Sequence, residues 1–331
     1  MATRDTEKLA WGVDVGGTDC KVGVVDARGR VRAETGFETP DEPDAAVREI
    51  ERACRELEDS LGARIDRLGM GVPGPLDLER GVIVHAPNLG WRDVPLREMV
   101  ADALGCPVVM DNDANAAAYG EAWVGAGRGA RVLLLVTLGT GVGGGVVEEG
   151  RVFHGARGLA VEIGHMVAVA GGRACSCGKR GCVEAYFSAH ALSEQAAEVG
   201  AGDGDPRGHR SLFEGYAAGD ERIVPWLDRA IDVLAQGVAH AGVLFDPDRI
   251  VFTGGLTRSW DAYRERLVAG LQADLGPAGP PPGGIGLTEL GGLAGVVGAA
   301  GLAIRAAAGQ RGAASVEAVS EIGGAMRGES R

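Results

Sequence analysis

Apolar runs punctuated by glycine set the pattern of this chain. Residues 9–15 read as a buried strand, 21–26 as a second strand after a glycine turn, and 31–38, with alternating polarity, as a third. A helical period over 42–61 stops at Gly62, and 67–71 form a short strand before Pro73-Gly74-Pro75 breaks the chain. Residues 107–110 are another short strand. Asp111-Asn112-Asp113 then leads into an alanine-rich helix over 114–122, which puts Asp113 near a helix N-terminus. The second half restarts with a strong strand over 131–137, a glycine turn, and Val146-Val147. Helical periods cover 189–198, 223–245 and 260–274, with a strand at 249–253 that ends in Gly254-Gly255. Residues 276–284 form a proline-glycine linker, 295–307 a last helix, and 308–331 a small, polar tail expected to be disordered.

The order strand, glycine turn, strand occurs twice, as Asp14-Val15-Gly16-Gly17-Thr18 and as Leu138-Gly139-Thr140-Gly141-Val142-Gly143-Gly144. Two related α/β domains facing a shared cleft would produce such an echo. The 331 residues, 45% hydrophobic and 24% charged, suffice for two globular domains. A net charge of −13 repels phosphate backbones and anionic lipid, so neither nucleic acid nor membrane is an expected partner and a small-molecule substrate is. With no basic-then-apolar leader and no apolar run near the roughly 20 residues of a membrane span, the expected location is the cytoplasm. Three of six cysteines crowd into 175–182, the distribution of a metal site with separate buried thiols in a reducing compartment.

His165, Cys175, Cys177 and Cys182 have the spacing H-x9-C-x-C-x4-C. Three thiolates and an imidazole close a tetrahedral shell around zinc and leave no position for a catalytic water, so the metal would be structural. Glu162 and Glu184 flank the set. Glu162 and His165, three apart, would share one face of a short helix, and a metal-bound imidazole keeps its other nitrogen for a neighbour such as a sugar hydroxyl. The simpler alternative is a zinc knuckle that only braces a loop, with both glutamates solvated.

Gly16 and Gly17 directly follow a strand, so the turn brings backbone amides close to a phosphate, with Asp14 placed to hold hydrated magnesium. A plain hairpin turn is the competing reading. Around Thr137 and Thr140, glycine fills five of the seven positions 139–145, a clamp for outer phosphates or else a flexible loop. Gly254 and Gly255 would pass an adenine ring across bare backbone. Asn112 and Asp113 stand where a strand's carboxyl end meets a helix start, the place where open α/β sheets present ligand groups. The helix dipole should keep Asp113 ionised, as a base for a sugar hydroxyl attacking a phosphoryl group, with Asn112 orienting its neighbours. A simple Asp N-cap is the alternative.

Together, Asp14-Val15-Gly16-Gly17-Thr18, Ala86-Pro87-Asn88-Leu89, Asn112-Asp113-Ala114-Asn115, the glycine turn at 138–145, Glu162-Ile163-Gly164-His165, the 175–184 cysteine segment and Thr253-Gly254-Gly255 resemble the ROK family of repressors and sugar kinases from about Trp11 to Ile304. The resemblance implies an actin-like, ribonuclease-H-like ATPase fold of two α/β domains around a cleft. Residues 1–122 would form the smaller domain, joined by the helix 295–307, and residues 123–294 the larger domain with the zinc site. It implies ATP and magnesium as cofactors, with Asp14, Gly16, Gly17, Thr18, Lys21, Thr137, Gly139, Thr140, Gly141, Gly254 and Gly255 at the nucleotide. Asp113 matches the catalytic base, and Asn88, Asn112, Asp113, Glu162, His165 and Glu184 match residues at the sugar. His165, Cys175, Cys177 and Cys182 match zinc ligands.

The implied activity is phosphorylation of a hexose, with glucose expected and N-acetylmannosamine, N-acetylglucosamine or fructose as alternatives. A homodimer or dimer of dimers is also implied. Where many members have Lys or Asn after the first turn, this chain has Asp19. That anion beside phosphates needs an offset from Lys21 or magnesium, which leaves ATP or polyphosphate open as donor and a non-catalytic sugar sensor as another class of function. A DNA-binding repressor is disfavoured, because the first strand starts within about ten residues of Met1 and leaves no room for a helix-turn-helix.

Overall fold

The computed structural model describes residues 9–200 and 209–309. The tail expected to be disordered lies outside them from residue 310 on. The chain begins with β1 (Ala10–Val15), β2 (Asp19–Val25) and β3 (Val31–Glu38), an antiparallel meander, and α1 (Pro43–Leu61). Buried Ala46, Val47, Ile50, Ala53, Cys54 and Leu57 recur at helical spacing along α1, and Gly62 ends it with φ +56°. Next come β4 (Leu68–Val72), a small meander of β5 (Leu76–Asp77), β6 (Val82–Ala86) and β7 (Trp91–Val94), then α2 (Leu96–Leu104), β8 (Val108–Asn112) and α3 (Asp113–Val124).

The second half repeats the plan. β9 (Val132–Leu138), β10 (Val142–Glu148) and β11 (Arg151–Val152) form the meander. A 3-10 turn at Ile163–His165 and the cysteine loop follow, then α4 (Ala189–Glu198), α5 (His209–Ala217), α6 (Val224–Phe245), β12 (Arg249–Thr253), α7 (Trp260–Leu275), β13 (Ile285–Leu287) and α8 (Ala294–Ala307). One five-stranded sheet has the order β3-β2-β1-β4-β8 and the other β11-β10-β9-β12-β13. In both, the first strand pairs antiparallel with the second and parallel with the fourth. The echo in sequence is thus an echo in connectivity.

Each sheet carries its own core. Trp11, Val13, Val22, Ile50, Leu68 and Met70 are fully buried on the first, and Leu134, Val136, Phe252, Leu234, Val238 and Tyr263 on the second. α8 leaves the second sheet and lies on the first, so closely that a Cβ on Gly69 would fall 1.7 Å from the Ala299 carbonyl oxygen. A larger side chain in the middle of β4 would prise the helix off. Glu121, fully buried on α3, fastens the approach to α8 by accepting from the amides of Ala126 (2.7 Å) and Leu290 (3.1 Å) and from the Thr288 hydroxyl. A buried carboxylate is tolerable only with donors of this kind.

The small β5–β6–β7 sheet, α2, α5, β11 and β13 are absent from the sequence reading. Strands of two to five residues carry too little alternation to register as a period.

Candidate active site

The ends of β1, β8, β9 and β12 converge where the expected residues sit. Asn112 is the N-cap of α3, its Oδ1 accepting from the amides of Ala114 (3.0 Å) and Asn115 (3.3 Å). This corrects the capping alternative for Asp113, which is instead the first helical residue, with Oδ1 accepting from Ala114 N–H at 2.8 Å. The expectation that the helix dipole keeps Asp113 ionised also needs correction. Desolvation at the cleft floor, with the Asp14 and Glu162 charges, outweighs the Ala114 amide and pushes its carboxyl up to about 7.

Asp14 is likewise pushed up to about 6, by burial and against the pull of Lys21. Lys21 pairs with Asp14 across β1 and β2, and its Nζ donates to the Gly292 carbonyl at 2.8 Å, just ahead of α8. A Cβ on Gly295 would collide with the Asp14 carboxylate, so the acid lies against the first turn of α8, where the helix dipole favours an anion. Gly17 and Thr18 are exposed at the turn. Gly16 N–H is taken by the Asp19 carbonyl at 3.0 Å, and Asn88 packs over Gly17. Asp19 is exposed and, two residues from Lys21, shares its face of β2.

Glu162 immediately precedes the 3-10 turn that ends at His165. Partial burial and the Glu184 charge raise its pKa, while His165 and Lys179 act to lower it. Glu184 closes the row: its Oε2 accepts from Val142 N–H at 3.0 Å and its Oε1 from the Ser176 hydroxyl at 3.3 Å. A side chain at Gly141 would occupy the place of that carboxylate. Asp14, Asp113, Glu162 and Glu184 therefore form a continuous acidic row from the first glycine turn to the second. Hydroxyl donors and a divalent cation are the species that relieve it.

The second glycine turn divides its labour. Gly143 N–H donates to Thr137 Oγ1 at 3.0 Å, and Gly145 lets α3 approach at the Ala114 carbonyl, so these glycines serve packing. Gly139, Thr140 and Gly141 remain at the accessible tip. Gly254, with φ +102°, rests on the Leu138 backbone beside that tip, while Gly255 faces open space.

The ligand atoms of His165, Cys175, Cys177 and Cys182 all lie within 4.8 Å of one another. The separations Cys177 Sγ to Cys182 Sγ and Cys175 Sγ to His165 Nδ1 are both 3.7 Å. A tetrahedron with metal–sulfur bonds of about 2.3 Å has edges of about 3.8 Å, so the donor set fits zinc. Burial and the neighbouring thiols push the Cys182 thiol up to about 12, a crowding that a cation would relieve. His165 turns Nδ1 to the sulfurs and keeps Nε2 for another partner.

The sequence profile of the ROK family matches residues 10–306. The chain belongs to the ROK family. It is 34% identical to the glucokinase of Halalkalibacterium halodurans over 309 residues, covering 87% of this chain and 92% of that one. Among solved structures, the ROK hexokinase of Thermus thermophilus superposes with a TM-score of 0.79 at 35% identity, covering 91% of this chain and 99% of that one. The Streptomyces griseus ROK glucokinase in complex with glucose and AMPPNP gives 0.76 at 35% identity, covering 90% and 99%. This ROK protein has the actin-like, ribonuclease-H-like ATPase fold. Asp14, Asp113, Glu162 and Glu184 lie on the acidic row, Gly16, Gly17, Thr18, Gly139, Thr140 and Gly141 on the two glycine turns, and His165, Cys175, Cys177 and Cys182 in the donor cluster, whereas Lys21 and Thr137 stand on β2 and β9, Asn88 beside Gly17, and Gly254 and Gly255 just after β12. Asp111 and His154, which pair beneath α3, were not singled out in the sequence.

Proposed function

We propose that the chain is an ATP-dependent sugar kinase that phosphorylates glucose. The observation that carries this reading is the acidic row, in which the buried Asp113 carboxyl feels the charge of Asp14, beside the first glycine turn, and that of Glu162, next to the thiol cluster's His165. The Streptomyces griseus relative, a ROK glucokinase in complex with glucose and AMPPNP, supports the pairing of glucose with ATP.

Glucose would lie against Asn88, Asn112, Glu162, Glu184 and Nε2 of His165, with its reacting hydroxyl on the free oxygen of Asp113. Asp113 accepts the proton as that hydroxyl oxygen attacks the γ-phosphorus and the bond from that phosphorus to the bridging oxygen of ADP breaks, ADP leaving with the electron pair. Gly16, Gly17, Thr18 and Lys21 meet the phosphates from one side and Thr137, Gly139, Thr140 and Gly141 from the other, with the adenine over Gly254 and Gly255. Asp14 would hold the magnesium that comes with the nucleotide, an ion that would supply charge compensation for the phosphates. His165, Cys175, Cys177 and Cys182 would hold structural zinc, which would fix the orientation of the His165 ring facing the sugar. Two domains closing on the cleft would exclude water during transfer. We also infer a homodimer.

Sugar phosphate formation measured over a panel of hexoses, with MgATP and with polyphosphate as donor, tests the reading. The expected result is a glucose rate above those of fructose, N-acetylglucosamine and N-acetylmannosamine with MgATP. A faster N-acetyl sugar would replace glucose as substrate. Transfer from polyphosphate but not ATP would replace the donor, and no sugar-stimulated transfer from either would leave a sensor.

A further inference from the structure

The segment 153–161 leaves β11 of the second sheet yet is anchored to the first half of the molecule. His154 Nε2 lies 2.7 Å from Asp111 Oδ2, with the two side chains 26% and 6% exposed. A carboxylate oxygen offers only acceptors, so Nε2 must carry the proton and donate. Four residues on, Gly158 admits Leu78: a Cβ there would meet Leu78 Cδ1 at 3.2 Å. Tied at both places, the segment ends in Val161 at φ +65°, a left-handed conformation that a β-branched residue adopts only when its surroundings impose it. Glu162 comes next.

The other oxygen of Asp111 faces the opposite way. Its Oδ1 accepts from Asn112 N–H at 2.8 Å and from Asn115 Nδ2 at 3.0 Å. One carboxylate thus grips the residue before Asp113 and the helical turn behind it, and His154 grips that carboxylate from the sugar-motif side. A free Asp111 side chain could rotate about its own axis and release both grips. One held at its second oxygen cannot.

We propose that His154 is a positioning residue for phosphoryl transfer: by donating to Asp111 it fixes the first turn of α3, which aims Asp113, relative to the segment that carries Glu162 and His165. The proposal rests on the reading of Asp113 as the base. His154 carries none of the sugar or nucleotide contacts proposed above, so its loss should act through the aim of Asp113, with a smaller effect on the sugar contacts of Asn112, Glu162 and His165. Misplacement by about 1 Å can cost on the order of 100-fold in rate.

The test compares the full-length chain with His154→Ala and His154→Gln by kcat, KM for glucose, KM for MgATP and Tm. Glutamine carries its amide nitrogen at the reach of imidazole Nε2 and keeps the donor. The alanine variant is expected to lose about 10- to 100-fold in kcat, with KM for MgATP within about threefold and any rise in KM for glucose smaller than the loss in kcat, and the glutamine variant to recover to within about threefold of wild type. An alanine kcat within about twofold of wild type overturns the proposal, as does a glutamine variant as slow as the alanine one. Should His154→Ala fail to fold, His154→Asn, too short to reach Asp111, takes its place, and equal kcat for Asn and Gln overturns the proposal. Asp113→Asn run alongside separates the two readings. If it retains turnover, the base assignment falls and the proposal with it; if it loses turnover while His154→Ala does not, only the proposal falls.

Discussion

Asp113 shows how a single side chain is tuned by what lies around it. Its carboxyl stands at about 7 against an ordinary 3.8, so the folded chain binds that proton more tightly than the unfolded chain does. The sign follows: this site costs no stability below about pH 4, and the cost grows as pH rises through 4 to 7. Asp113→Asn should therefore stabilise the ligand-free protein at neutral and alkaline pH, by on the order of 2 kcal/mol. That is half of what the full shift represents at about 1.4 kcal/mol per unit, because the residue keeps partial exposure to solvent. Thermal melts should show the variant ahead by a few degrees at pH 8 and level with wild type at pH 4; a variant that melts lower throughout contradicts the raised pKa. The same variant should lose at least about 1,000-fold in turnover while sugar binding survives. In the wild type, kcat/KM should fall about tenfold per unit below pH 7, since only the ionised form accepts a proton. A profile flat from pH 5 to 8 would remove Asp113 as the titrating base.

Among the elements, the cysteine loop is where binding and stability meet. It is pinned to the sugar motif by Lys179 Nζ on the His165 carbonyl (2.8 Å) and to the second glycine turn through Glu184. Stripping zinc should therefore lower Tm and weaken glucose binding together, and the affinity for zinc should fall in acid because its thiols must lose protons. Calorimetry on chelator-treated protein tests this. A zinc-free, folded chain with an unchanged glucose Kd would reduce the loop to a brace. This element was readable because all four of its ligands sit within one short stretch whose spacing carries the chemistry. α1 was readable for a similar reason, its apolar positions recurring at helical spacing. The Asp111–His154 pair was not, since its partners lie 43 residues apart, one on β8 and the other in the loop after β11, and neither carries a motif. The upward shift of Asp113 was hidden for the same reason: the burial that raises it, and the Asp14 and Glu162 charges that add to it, come from parts of the chain distant in sequence, whereas the Ala114 amide that opposes them is local.

At the scale of the molecule, the doubled plan could be read from two glycine turns, but the seating of α8 on the first sheet came only through family likeness, because close contact of Gly69 with Ala299 leaves no periodic trace. The surface offers a second whole-molecule feature. Val243 and Leu244, 61% and 72% exposed near the end of α6, stand beside Phe245, whose ring meets that of half-exposed Phe153 at 5.6 Å. Leu244, Phe245 and Val167 line a depression of about 450 Å³ whose other wall includes Glu162 and His165. Scattered apolar residues on a surface are ordinary, whereas contiguous ones mark association. If a second copy covers this patch, the inferred dimer braces the sugar motif from behind. Wild type should then sediment at twice the 33.9 kDa chain mass, and Leu244→Glu, which would force a charge into the contact, should sediment as single chains. A wild type that stays monomeric at micromolar concentration argues against the dimer, and a dimer that survives Leu244→Glu places the interface on another face.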